Sequence, residues 1–282
     1  MTETNATRVA VYLDFDNIVI SRYDQVNGQS SFQRDRSKGM DAAHLARARV
    51  DVGAILDFAS SFGTVVLTRA YADWSAQVNA KYREQLVGRA VDLVQLFPAA
   101  AYGKNGADIR LAVDAVEDMF RLPDLTHVVI VAGDSDYIPL AQRCKRLGRY
   151  VVGIGVAGSS SRALAAACDD FIIYDALPGV PALEPTASEA EQPKRARKSS
   201  EPAAPDPQTT ATALLKRALQ IGLEKDDAEW LHNSEVKAQM KRMDPSFSEK
   251  SLGHKSFSDF LRSRSDIVEL DESSTTRLVK LR

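Results

Sequence analysis

Cysteine is scarce. Only Cys144 and Cys168 stand in 282 residues, far apart, each inside a mainly apolar helical pattern. That setting argues against a disulfide framework and reads as two buried free thiols in a reducing compartment. Histidine is scarce too. His44, His127, His232 and His254 are scattered without metal-ligand spacing, and His127, which opens an apolar run, reads as structural. No serine or cysteine sits in a nucleophile elbow. The glycine string "GIGVAGSSS" lacks the lysine of a phosphate loop. No apolar run approaches the roughly 20 residues of a membrane helix, and the polar opening "MTETNATR" has no secretory pattern. A large charge of one sign is also missing. With 36 basic and 38 acidic residues the formal net charge is −2, so any affinity for a polyanion has to be local. These absences lead to the expectation of a soluble, cytoplasmic protein with no membrane contact.

What is present divides the chain. The length fits about two domains, and 44% hydrophobic residues suffice for a sizeable core. From 178 to 210 the text is "PGVPALEPTASEAEQPKRARKSSEPAAPDPQTT", with almost no large apolar residue. Such a stretch cannot bury enough surface to offset its ordering entropy and reads as a flexible linker, its "KRARK" knot keeping it soluble. The expected division is a domain over 1–177, a linker over 178–210 and a small domain over 211–282.

In the first domain, Val- and Ile-dense runs alternate with helical patterns. The runs are "VAVYLDF", "TVVLTRAY", "VDLVQLF", "HVVIVAG", "YVVGIGV" and "FIIYDAL". Density on both faces marks buried parallel strands, and strand–helix alternation predicts an α/β fold with a doubly wound, mostly parallel sheet. Residues 21–50 are polar, with Gly28, Gly39 and several arginines, and read as a long loop or excursion after the first strand. In the last domain, "TALLKRALQIG", "SEVKAQMKRM" and "SFSDFLRS" have helical period. Ser256 and Asp259 have capping-box spacing. "DIVELDESSTTRLVKLR" reads as two strands around a polar turn. Helices followed by a hairpin suggest a winged-helix module, with Trp230, Phe247, Phe257 and Phe260 in its core.

In an open parallel sheet, ligands bind at the carboxyl ends of the strands, where strand order reverses. Carboxylates gather there. Asp14 and Asp16 end the first strand in "VYLDFDNIVI", Asp134 and Asp136 end the fourth in "VAGDSDYIPL", and Asp108 starts the helix of "GKNGADIRLAVDAVEDM". Any one of them alone is explained by capping, since acids favour helix N-termini. Three acidic sites converging on one sheet edge are not. An oxygen-rich, thiol-free cluster suits Mg²⁺ or Mn²⁺. Metal held there stabilises a phosphodiester oxyanion and activates an attacking water. Asp114 lies about 240° round the helix from Asp108, so the two do not share a face. Glu117 and Asp118 read as solvated.

Residues 9–177 resemble the NYN-domain family of PIN-like metal-dependent nucleases. The text carrying the likeness is "VYLDFDNI", "YADW", "GKNGADIRLAVDAVEDM", "VAGDSDYIPLAQRCKRLG" and "AACDDFIIYDAL". The resemblance implies Asp14, Asp108, Asp134 and Asp136 as catalytic metal-binding acids, with Asn17 beside them and Lys104 and Asp114 in support. Asp16 does not match an invariant acid of the family and ranks lower. The stretch 21–50 departs from compact members. Residues 211–282 resemble the OST-HTH, or LOTUS, domain through "DPSFSEKSLGHKSFSDFLRSRSDIVEL". That likeness implies a winged-helix RNA-binding module, in which Lys250, Lys255, Arg262 and Arg264, near His254, contact phosphate without reading bases. A near-balanced charge leaves a protein-docking role open for the same module.

The implied activity is divalent-metal-dependent hydrolysis of RNA. Two other functions compete. One is an RNA-binding adaptor without turnover. The other is a phosphatase of the haloacid-dehalogenase type, whose first motif "DFDN" resembles. There the first aspartate is the nucleophile and the acid two residues on donates the proton, but Asn17 stands where that family has threonine or valine, and Asp108 has no place in the scheme.

Overall fold

The computed structural model of the chain describes residues 6–97, 106–181, 206–226, 230–271 and 277–282. It divides into two compact units, Met1–Leu183 and Glu184–Arg282. Lys104, the polar turn 272–276 and most of the expected linker, 182–205, lie outside the described residues.

The first unit runs β1 (Arg8–Asp14), α1 (Phe15–Asn27), α2 (Ser31–Lys38), α3 (Ala42–Arg47), α4 (Val52–Ser60), β2 (Thr64–Ala72), α5 (Gln77–Ala80), α6 (Arg83–Val87) and β3 (Asp92–Gln95). It continues with α7 (Gly106–Arg121), β4 (His127–Val131), α8 (Ile138–Arg146), β5 (Tyr150–Gly155), α9 (Arg162–Ala167) and β6 (Asp170–Ile173). The six strands form one wholly parallel sheet in the order β3-β2-β1-β4-β5-β6. Strand order reverses between β1 and β4, so their carboxyl ends lie side by side.

β1 explains why its sequence is apolar without alternation. Val9, Val11 and Leu13 enter the core on one face with Ile55, Val129 and Ile154, while Ala10 and Tyr12 enter the core on the other with Leu111, Ile130 and Leu140. The period of two is present, but both faces are dry.

Residues 21–50 are a correction. They are not a loop: α1 continues from β1 through Asn27, and α2 and α3 follow. Polar surface residues hide a small separate core in which Tyr23 meets Phe32 edge-on at 5.6 Å, near Ala48. The Tyr23 hydroxyl donates to Asp35 at 2.7 Å, and Asp41 caps α3 by accepting from the amides of Ala43 and His44. Partly buried Ile20, Val26, Met40, Leu45 and Val78 pack against that core, and this scattered set, too irregular to set a periodicity, folds the excursion back on α1.

The second unit comprises α10 (Pro207–Asp226), β7 (Leu231–His232), α11 (Asn233–Met243), α12 (Phe257–Arg262), β8 (Val268–Asp271) and β9 (Leu278–Leu281), with an antiparallel sheet ordered β7-β9-β8. The helix starts earlier than the expected boundary after 210. Asp206 accepts from the Thr209 amide at 3.2 Å and Pro207 takes the first helical position, the favoured cap and the favoured opening residue together. Ser256 caps α12 by accepting from the Asp259 amide at 3.2 Å. Phe247, Phe257 and Phe260 are core, packed with Leu215, Leu219 and Met240. Cys144 and Cys168 are buried and unpaired. Among the described residues no helix is long and apolar enough to cross a membrane.

Candidate functional site

Asp14 ends β1 and also caps α1. One carboxylate oxygen accepts from the Asn17 amide at 3.2 Å and the other from the Tyr137 hydroxyl at 2.9 Å. It is only 4% exposed. Burial pushes its pKa up to about 7, reinforced by the charges of Asp108 and Asp16 and opposed by the hydrogen bonds from Asn17 and Tyr137. Asn17 secures the reversal point itself. Its side-chain oxygen accepts from the Gly133 amide at 3.1 Å, tying the start of α1 to the end of β4.

Asp134 caps the 3₁₀ turn Ser135–Tyr137, accepting from the Asp136 amide at 3.1 Å. Its capping role is therefore real, but it does not stand alone. Asp108, half-buried in the first turn of α7, has a raised pKa. Burial is the main cause, followed upward by the charges of Asp134 and Asp136, with hydrogen bonding to Tyr137 and Asp14 in opposition. Asp108 thus lies within electrostatic reach of Asp14, Asp134 and Asp136 near the β1–β4 edge.

Tyr137 was not among the expected site residues. It is buried, and its hydroxyl bonds both Asp14 and Asp108, two acids otherwise under mutual repulsion. Burial and those two charges raise its pKa, so it stays protonated and donates. The available signal was a tyrosine directly after "GDSD" in a run that starts a helix, since a buried tyrosine hydroxyl needs a partner.

Other acids go elsewhere. Asp16 accepts from the Asp73 amide at 3.1 Å and from Asn79, pinning the "YADW" turn. Asp114 faces the sheet rather than the acid group, accepting from Tyr71 at 3.0 Å and from Arg110 at 2.9 Å. Asp118 corrects the expectation of a solvated residue. It is buried, accepting from Tyr12 at 3.0 Å and paired with Arg69. Both lie on the inner side of α7 because β1 and β2 present tyrosine hydroxyls there that need acceptors. Arg36 of α2 carries its charge close enough to favour the ionised forms of Asp16 and Asp73, so the excursion borders this edge.

The donor set fits a hard divalent cation. It is all carboxylate, and burial and like charge hold Asp14 and Asp108 at raised pKa, which a cation relieves. Among the described residues no three or more His, Cys, Asp or Glu side chains already form a metal-holding cluster. Asp14 and Asp108 are instead drawn onto Tyr137.

In the second unit Lys250 and Lys255 are exposed. Arg262 is exposed but engages Asp259 at 2.7 Å. Arg264 corrects the expected phosphate contact. It is 6% exposed, its guanidinium lies 3.9 Å from the centre of the Phe260 ring, and it donates to Thr212 and Gln208. An Arg stem and planar head can be core material, and here they join α10 to α12.

Residues 8–175 match the NYN domain and residues 205–280 match the OST-HTH/LOTUS domain. An uncharacterized protein of Methanocaldococcus jannaschii is 29% identical over 115 residues, 41% of this chain and 44% of that relative, so the chain spans less than half of the relative's length. A crystal structure of a protein of unknown function from Vibrio parahaemolyticus aligns with a TM-score of 0.46 at 20% identity, covering 61% of this chain and 96% of that one. With an NYN match over most of its length and a LOTUS match behind it, the chain belongs to the NYN-domain family.

Proposed function

We propose that this protein is a divalent-metal-dependent ribonuclease whose second unit captures RNA. The observation that carries the reading is that Asp108 lies within electrostatic reach of Asp14, Asp134 and Asp136 beside the point where strand order reverses. These four residues would hold Mg²⁺ or Mn²⁺. When bound, such an ion supplies stabilisation of the phosphodiester oxyanion and lowers the pKa of an attacking water.

The chain's own residues prepare the site. Tyr137 donates to Asp14 and fixes its carboxylate, leaving that group's direction independent of solvent. Asn17 holds the ends of β1 and β4 in register. Asp14 stands on a strand end and Asp108 in the first turn of a long helix, stiffer supports than loops, while Asp134 and Asp136 ride on the short 3₁₀ turn after β4. The phosphatase reading finds less support, because the acid it needs as proton donor, Asp16, is committed to the Asp73 amide and Asn79.

The test is a panel of labelled RNA, labelled single-stranded DNA and a chromogenic phosphomonoester, each with Mg²⁺, Mn²⁺ or chelator. The expected result is cleavage of RNA only with metal. RNA bound but unchanged identifies an adaptor, and phosphate release from the monoester identifies a phosphatase.

Capture rests on Lys250 and Lys255. A module on a tether raises the local concentration of RNA at the cleft without touching the chemistry. Charge reversal of both lysines in the full chain is expected to weaken RNA binding across sequences and to flatten its salt dependence by about one unit of log–log slope per lost phosphate contact. The rate at saturating RNA stays unchanged. Filter binding over a salt series measures this, and unaltered affinity at low salt would transfer the module to protein docking.

A further inference from the structure

The outer side of α7 is apolar where a soluble helix is normally polar. Ile109, Val113 and Phe120 are 64%, 57% and 70% exposed, and half-buried Val116 lies between them. Spacings of four, three and four residues put all four on one narrow strip. This is the alternation of a coiled-coil seam. The strip is not a helix rotated out of place. Leu111, Ala115 and Met119 fill the core behind it, and Asp114 and Asp118 bond the sheet's tyrosines. A contiguous exposed patch on a helix with its inner face fully used marks an interaction surface.

We propose that the occupant is a second copy of this chain, with the two α7 helices antiparallel across a two-fold axis that passes between Val113 and Val116. The strip is self-complementary in that arrangement. Turned end for end about this axis, Ile109 meets the second copy's Phe120 and Val113 meets its Val116, each contact occurring twice, as an isologous interface requires. The flanking charges agree. Arg110 comes opposite Glu117 of the second copy, and Glu117 opposite its Arg110. In a parallel pairing Glu117 would face Ala112 and no opposite charges would meet.

Among the described residues each charge pairs within its own helix, exposed Arg110 with buried Asp114 at 2.9 Å and Glu117 with Arg121, both exposed, at 3.6 Å. The exposed Glu117–Arg121 pair holds its side chains weakly. A nucleic-acid occupant fits less well, since base stacking needs a series of aromatic faces and the strip offers one aromatic among three aliphatics. One helix pair is a small interface, so the association belongs to the weak class and favours high concentration.

The test is sedimentation velocity of the full chain over a hundredfold range reaching about 1 mM, the scale at which weak contacts populate. A concentration-dependent dimer is expected. Phe120→Glu should leave it monomeric throughout with unchanged circular dichroism and melting temperature, and Val113→Lys serves as a second break. Orientation is read by mixing Ile109→Cys and Phe120→Cys chains under mild oxidation. The mixed disulfide should form in preference to either like pair. A monomer at every concentration, a dimer indifferent to both breaking variants, or like-pair disulfides in excess would each overturn the proposal.

Discussion

Asp14→Asn is expected to abolish metal-dependent RNA cleavage and, with metal removed, to make the protein more stable at pH 8 than the wild type. The two effects share one cause. Asp14 is a carboxyl group enclosed by the sheet end, with its pKa pushed up to about 7. The unfolded chain holds the same group near 3.8. Between those values the folded state keeps a proton that the unfolded state loses. Stability from Asp14 is therefore full below about pH 4 and falls as pH rises to about 7, by roughly 4 kcal/mol as an order of magnitude. Asparagine carries no charge to bury. It keeps an oxygen for the Asn17 amide and presents an amide to Tyr137. Urea melts in chelator at pH 5 and pH 8 measure this. The wild type should lose stability between them and the variant should lose far less. For activity, removing a negative group that stabilises the transition state through metal is expected to cost at least about 10²–10³-fold. Equal pH profiles for both proteins would show that Asp14 is not the buried acid described here.

Tyr137→Phe is expected to reduce the rate at saturating RNA by about 10–100-fold, on the scale of a lost group that orients metal ligands, while leaving KM for RNA unchanged. The hydroxyl is buried away from solvent. It acts by holding Asp14 and Asp108. Without it buried Asp14 loses a donor, a loss of about 1–3 kcal/mol. The sign with pH follows from Asp14. The lost hydrogen bond lowers its pKa in the wild type, so in the variant the pKa rises further and the pH-linked loss of stability extends upward. Tyr137→Phe should therefore be more destabilising at pH 8 than at pH 5. A purely packing role would give the same destabilisation at both pH values and no change in the metal concentration needed for half-maximal rate.

The sheet was legible in the sequence because buried parallel strands are the one element written as dense Val and Ile runs. The pairing of β1 with β4 is not written in any local pattern and comes from the fold itself. The acids at that edge were legible, since a strand that ends in carboxylates advertises a ligand or a cap. Other features were not legible. The helices of 21–50 are held by a small core of scattered apolar side chains inside a polar text. Asp118 and Arg264 looked like surface residues because their partners, Tyr12 with Arg69 and Phe260 with Thr212 and Gln208, sit on other elements. Asp16 and Asp14 are two residues apart with the same side chain, yet one pins a turn and the other faces the cluster. That difference lies in which neighbouring strand each meets, and only the three-dimensional fold decides it.

The central claim is that the acids at the β1–β4 edge hold a divalent cation. A titration of Mn²⁺ into the full chain, with free Mn²⁺ followed by its paramagnetic resonance signal, tests it directly beside Asp14→Asn and Asp108→Asn under the same conditions. The predicted result is saturable binding by the wild type that both substitutions weaken by at least about tenfold, the lower bound for disturbed metal ligation. Binding of equal strength in all three proteins, or no saturable binding by the wild type, would contradict it.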